Sequence, residues 1–247
     1  MVREPLVKVD HITRHYGNQC AVNNVSFTVP QGEILGFLGP NGAGKSTTMQ
    51  MICGVLAMSS GTVTISGYDI VETPIRAKQC IGYLPEHPPV YLDQTVDEYL
   101  DYCARLRHVA KQELKERIEE SKQRCGIAQV GHRLIGNLSK GFQQRIGIAQ
   151  AIIHTPALVI LDEPTTGLDP NQIVEIRELI RELGKDHSVI LSTHILSEAE
   201  EVCSRIIIIN AGELVMDKPA TDIDDLERTF INLTREDYSR SDESAPV

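Results

Sequence analysis

One short segment restricts the fold more than any bulk property of the chain. Gly39-Pro40-Asn41-Gly42-Ala43-Gly44-Lys45-Ser46 fits G-x-x-x-x-G-K-[ST], with the apolar run Glu33–Leu38 before it and a helical pattern over Lys45–Cys53 after it. A strand entering a glycine-rich turn that opens a helix lets successive backbone N–H groups converge on an anion, and the helix N-terminus adds partial positive charge. In this reading Lys45 reaches the β- and γ-phosphates of a nucleotide and the Ser46 hydroxyl ligates a divalent cation. The segment therefore points to an α/β core.

A second segment supplies what such a loop needs. The strand-like run Leu158–Leu161 ends in Asp162-Glu163. A carboxylate at that strand end is placed to hold Mg²⁺, and its neighbour to polarise an attacking water. Two acids after a strand also occur as a plain loop start or helix cap, and beside the phosphate loop the catalytic reading is the stronger.

The rest of the pattern organises around these two. Residues 5–9 and 22–29 read as strands, with Val25, Phe27 and Val29 alternating with polar neighbours, and Thr62–Ser66 alternates likewise. From about 95 to 127 the text is helical and charged. Thr95 with Glu98 forms a capping box, followed by Val96, Tyr99, Leu100, Cys103 and Leu106 at helical spacing and a second stripe of Leu114, Ile118 and Cys125. Helices are expected over Ser139–His154, from Asp169-Pro170 to Gly184, and over Ile195–Cys203, with strands at Ala157–Leu161, Ser188–Ser192 and Arg205–Ile209. The tail from Arg235 is polar and acidic and reads as disordered.

Composition excludes several classes. Twenty-four Lys and Arg against 34 Asp and Glu give a formal charge of −10, which speaks against a general nucleic-acid binder. Aromatics make up 4% with no Trp, too few for a single-strand stacking platform. Six cysteines, none in a C-x-x-C pair, read as buried or free thiols of a reducing compartment, although an even number formally allows disulfides. The N-terminal residues lack the apolar core of a secretory signal, and no apolar stretch approaches the roughly 20 residues of a membrane span.

The stretch from Leu138 to Asp169, containing Leu138-Ser139-Lys140-Gly141-Phe142 and the Leu158–Glu163 strand, resembles the nucleotide-binding subunit of an ABC transporter. With Tyr83-Leu84-Pro85-Glu86 and the Ser192–Glu201 segment it is most similar to ABC-2 exporters of the gliding-motility and multidrug types. The likeness covers about residues 5–220. The closing Leu226–Thr234 is similar to the C-terminus of those subunits, which implies an essentially complete chain.

The resemblance implies a P-loop NTPase with a RecA-like core, an N-terminal antiparallel β subdomain and an inserted α-helical subdomain at about 87–150. The ATPase domain would span 1–220 and a partly disordered tail 221–247. ATP would contact Tyr16 (stacking on adenine), Gly39, Asn41, Gly42, Ala43, Gly44, Lys45, Ser46 and Thr47. Ser139 and Gly141 would bind the γ-phosphate held by a second copy, and Mg²⁺ would sit among Ser46, Asp162 and Glu86. Glu163, His194 and Lys45 would be catalytic, with His194 sensing the γ-phosphate and Asp169 in the inter-subunit loop.

Some of these positions admit a plainer reading. Tyr16 could be a strand-end core residue, Glu86 a solvated acid, and Ser139 and Asp169 also suit helix N-caps. Glu86 stands where most relatives carry Gln. Lys140 and Phe142 depart from the usual Leu-Ser-Gly-Gly-Gln; Lys140 could face the phosphate or solvent, and Phe142 is expected to pack into the helical subdomain. The implied partners are integral membrane permease subunits and a second copy of the chain, with no nucleic acid. The implied location is the cytoplasmic face of the inner or plasma membrane, peripheral through the permease. A soluble relative acting on ribosomes or DNA is the rival class, disfavoured by a single cassette, the lack of a long heptad array and the negative charge. A non-hydrolysing module is disfavoured by Lys45, Asp162, Glu163 and His194 all being present.

Overall fold

The computed structural model describes residues 5–235. Its frame is a six-stranded sheet that sets the phosphate loop and the acidic strand end side by side. β3 (Ile34–Leu38), β6 (Ile81–Leu84), β7 (Leu158–Asp162), β8 (Ser188–Thr193) and β9 (Arg205–Asn210) are parallel, and β10 (Glu213–Pro219) adds antiparallel to β9. The order is β10-β9-β3-β8-β7-β6. β7 and β8 are buried at every residue, as strands covered on both faces must be, and their centres, 159–161 and 189–191, are apolar. Because β8 lies between β3 and β7, the residues that follow all three strands emerge at one edge of the sheet.

A second sheet, β2-β1-β4-β5, is antiparallel: β1 (Val7–Tyr16), β2 (Gln19–Val29), β4 (Ser60–Ile65) and β5 (Tyr68–Asp69). Both long strands run well beyond the expected 5–9 and 22–29. The β1–β2 register shifts between Val9 and Ile12 and twice more before His15, so alternation is lost while pairing continues. Val7, Val9, Val25, Phe27, Val63 and Ile65 pack this sheet onto α1 (Lys45–Ile52) and the underside of β3, β7 and β8.

Helices cover the other face. α3 (Val96–Leu106) starts with the capping box: Glu98 N–H donates to Thr95 Oγ1 at 3.3 Å and Thr95 N–H donates to the Glu98 carboxylate at 2.9 Å. α4 (Leu114–Arg124) and α5 (Lys140–Ile152) complete a helical layer whose Tyr99, Leu100, Ile118, Ile127, Ile146 and Ile148 join the core above β7 and β8. Leu106, expected on the inner stripe, is 57% exposed because α3 ends there. Phe142 is half-buried against this core. α6 (Pro170–Leu183) opens with Pro170 at its first turn and Asp169 as its cap, and α7 (Leu196–Val202) follows β8.

Five elements were not read from the sequence: β5, α2 (Pro74–Gln79), β6, β10, and α8 (Leu226–Thr234) within the stretch read as tail. The disorder expected beyond Arg235 lies outside the described residues. The described cysteines are all free thiols. Among the described residues no helix is long and apolar enough to cross a membrane.

Candidate functional site

The glycine-rich loop is held against its surroundings too closely for side chains. Gly44 adopts φ +104°, and a Cβ there would lie 2.6 Å from the Ala21 carbonyl oxygen; at Gly39 a Cβ would lie 2.4 Å from the Ile209 carbonyl oxygen. The loop thus rests between β2 and the end of β9. Ala43 C=O also accepts from Gly212 N–H at 3.0 Å, tying it to the β9–β10 turn.

Lys45 opens α1 and turns its side chain back under the loop, 6% exposed. Its Nζ donates to Gly39 C=O at 2.8 Å and Pro40 C=O at 3.2 Å, and lies 3.3 Å from Glu163 Oε1. The other Glu163 oxygen, Oε2, is 2.7 Å from His194 Nδ1. Glu163 is therefore a bridge, one oxygen on the loop lysine and the other on the histidine after β8. Its backbone is in the left-handed region, φ +50°, and is held there by its own N–H donating to Ser192 C=O at 2.9 Å. A β-to-loop glutamate in that conformation carries strain of the kind that accumulates at working sites.

Ser46 Oγ donates to Asp162 Oδ1 at 3.2 Å. Asp162 is 1% exposed, and burial raises its carboxyl above the usual range. The hydroxyls of Ser192 and Ser46 oppose that rise, and the charges of Glu163 and Glu86 add to it. Asp162, with the Glu163 and Glu86 charges near enough to act on it, belongs to an oxygen donor set that suits a hard cation. Among the described residues, however, no three acidic, His or Cys side chains converge tightly enough to hold one alone. Ser46 and Asp162 are oxygen donors that would fit a divalent cation, and Glu86 lines the same cleft.

These groups line an open cleft of about 560 Å³ whose walls include Asn41, Gly42, Gly44, Lys45, Ser46, Thr47, Glu86, Glu163 and His194. Ala21 and Thr166 also line it, and neither was a candidate from sequence. Thr166 comes with the acidic strand end; Ala21 is there because β2 crosses the loop, a tertiary fact without a local signal. Gly39 and Ala43 support the loop from behind.

Three candidates stand apart from the cleft lining. Tyr16, at the end of β1, is 46% exposed with the Arg14 guanidinium 4.8 Å from its ring centroid, so it is no core tyrosine. Ser139 caps α5, accepting from Phe142 N–H at 3.4 Å, and Gly141 fits under Gln172, where a Cβ would come within 2.6 Å of the side chain. Lys140 is exposed and lays its amine over Gly167. Asp169 Oδ1 accepts from Gln172 N–H at 3.0 Å. The starts of α5 and α6 thus form one packed unit, which the Arg145–Glu175 ion pair extends.

Residues 22–166 match the ABC transporter family. The ABC transporter ATP-binding protein NatA of Bacillus subtilis is 41% identical over 197 residues, covering 79% of this chain and 80% of that protein. The bacitracin transport ATP-binding protein BcrA of Bacillus licheniformis is 36% identical over 238 residues, covering 96% and 77%. A solved ATP-binding subunit of an ABC transporter superposes with a TM-score of 0.83 at 30% identity, over 92% of this chain and 99% of that one.

Proposed function

The chain belongs to the ABC transporter family as an ATP-binding, ATP-hydrolysing subunit, and from that premise we propose that it drives an exporter as one half of a homodimer with composite ATP sites. The observation that carries this reading is the Lys45–Glu163–His194 chain in one cleft beside the Ser46–Asp162 pair.

Each group then has a physical task. The loop N–H groups and the α1 N-terminus cradle the phosphates, and Lys45 moves from its carbonyl partners onto the β- and γ-oxygens. Ser46, Asp162 and Glu86 would hold Mg²⁺, whose contribution is to neutralise charge on the phosphate oxygens. Glu163 accepts the proton of a water whose oxygen attacks the γ-phosphorus. The bond from the γ-phosphorus to its bridging oxygen breaks, leaving ADP and inorganic phosphate. His194, 2.7 Å from Glu163, orients that carboxylate and senses the γ-phosphate.

Ser139 and Gly141 lie away from the cleft of their own chain, so they serve the nucleotide of a second copy placed head to tail, and two-fold symmetry builds two such sites. Tyr16, exposed and backed by Arg14, stacks on adenine. The solute path belongs to integral membrane permease subunits, with the chain docked on the cytoplasmic face near Glu86 and His87-Pro88-Pro89. Capture of the tagged chain from detergent-solubilised membranes tests the class. A multi-helix membrane protein should co-purify, and recovery of ribosomes or DNA instead would overturn the exporter reading.

A further inference from the structure

His194 can meet Glu163 only if the backbone that carries it is fixed, and the fixing groups lie below the cleft. Thr193, the last residue of β8, is fully buried, and its hydroxyl is committed in both directions. It accepts from Ile195 N–H at 3.0 Å and donates to Glu198 Oε2 at 2.9 Å. Glu198 N–H in turn donates to Ile195 C=O at 3.2 Å. The peptide on each side of residue 195 is thereby held, and the ring of contacts closes around His194, leaving its imidazole only side-chain torsions to place.

The acid in this ring is costly. Glu198 is 1% exposed, and its second oxygen, Oε1, is buried without a hydrogen-bond partner. A buried acceptor left unpaired is unfavourable, and an apolar side chain would fill the space at lower cost. No part of the ATP chemistry above uses Glu198, and its place in the first turn of α7 offsets only part of that cost. What it supplies is an acceptor for the Thr193 proton, which fixes the hydroxyl so that a lone pair is aimed at Ile195 N–H.

We propose that Glu198 is a positioning residue for ATP hydrolysis: through Thr193 it fixes the backbone at His194, so that the imidazole is delivered to Glu163. The inference rests on the roles given above to His194 and Glu163. It assigns Glu198 no contact with nucleotide, so its loss should lower kcat and leave KM unchanged. A misplaced catalytic group costs up to about 100-fold in rate when it moves by an ångström.

The test is steady-state ATP hydrolysis by the full chain, with kcat and KM measured separately for variants in two backgrounds. Glu198→Ala and Thr193→Val should each lower kcat by about 10- to 100-fold with KM within about twofold. Glu198→Gln, which retains a carbonyl acceptor, and Thr193→Ser, which retains the hydroxyl, should recover most of the rate. In a His194→Ala background, Glu198→Ala should lower kcat by no more than about twofold, because the only group it positions is gone. An equal loss in both backgrounds, or a loss not recovered by Glu198→Gln and Thr193→Ser, would overturn the inference and make Glu198 a fold residue. Thr193→Val keeps the shape of the buried side chain and so covers the case in which Glu198→Ala does not fold. His194→Ala at the wild-type rate would overturn the underlying assignment of His194 itself, a separate result from the other two.

Discussion

Lys45→Ala separates catalysis from stability, because the structure gives a size for each. Catalytically, the variant loses the fixed cation aimed at the phosphates. Removing one preorganised donor from such a site costs about 2.7–4 kcal/mol, or roughly 10²–10³ in rate. The effect on the fold is smaller. Breaking a buried ion pair from one side costs about 3–5 kcal/mol when the abandoned charge has no other partner. Glu163 keeps one, His194 Nδ1 at 2.7 Å, and Lys45 itself lines the open cleft, so its truncation lets water reach the Gly39 and Pro40 carbonyls it leaves. About 1–2 kcal/mol is then the expected loss, the worth of one or two hydrogen bonds. For a chain of this size that lowers Tm by about 2–8 °C. The assays are Mg-ATP turnover, equilibrium binding of a fluorescent ATP analogue, and thermal unfolding of the same preparation. Turnover should fall at least about 100-fold and nucleotide binding should weaken strongly, with the protein still folded at 25 °C. Turnover within about threefold of wild type would refute the site, and a Tm loss well beyond about 8 °C would show that Lys45 acts through the fold.

Glu86→Gln should keep measurable hydrolysis, because an amide oxygen can still face the cation and the swap removes a charge that raises the Asp162 carboxyl. The larger change is expected in the coupling of transport to turnover, and a variant as inactive as Lys45→Ala would make Glu86 an essential acid or base. His154 gives a pH signature in stability. Burial pushes its imidazole down to about 4, with the Arg107 charge adding to the shift. The folded-state value is depressed, so the stabilisation is present above the ordinary histidine value near 6.5. It is lost as pH falls from there to about 4, where the unfolded chain takes a proton the fold refuses. Urea denaturation of the full chain at stepped pH should show up to about 3 kcal/mol less of this acid loss in His154→Gln than in wild type, and parallel profiles would contradict it.

Much of this was legible because the informative segments are local. Gly39–Ser46 must be a strand–turn–helix to be useful, and so it folds; Thr95 with Glu98 and Asp169 with Pro170 announce helix starts by chemistry confined to four residues. The elements without a legible pattern depend on neighbours. β10 is an edge strand whose pairing shifts register between Leu214 and Met216, which breaks its alternation. α2 is a short helix of six residues, and α8, capped by Asp225 accepting from Arg228 N–H at 2.8 Å, is nine residues long and packs Phe230 and Leu233 on the core. The site divides in the same way. Lys45, Asp162, Glu163 and His194 stand out singly in sequence, but that Glu163 bridges Lys45 and His194 follows from the order β3-β8-β7, which no local pattern encodes. Ala21 and the buried Glu198 were invisible for the same reason, whereas Thr166 follows the acidic strand end directly in the chain.

The composite site is tested most directly by the oligomeric state of Glu163→Gln with and without Mg-ATP, measured by size-exclusion chromatography with light scattering and repeated in the permease complex if the isolated chain stays monomeric. Glu163→Gln keeps the size of the side chain and an oxygen for His194, but has no base for the attacking water. It should bind ATP, fail to hydrolyse it and accumulate as a closed dimer. Adding Ser139→Arg should abolish that dimer while ATP still binds each chain through the phosphate loop. Glu163→Gln that hydrolyses ATP at the wild-type rate, or a double variant that closes as readily as the single one, would contradict the account.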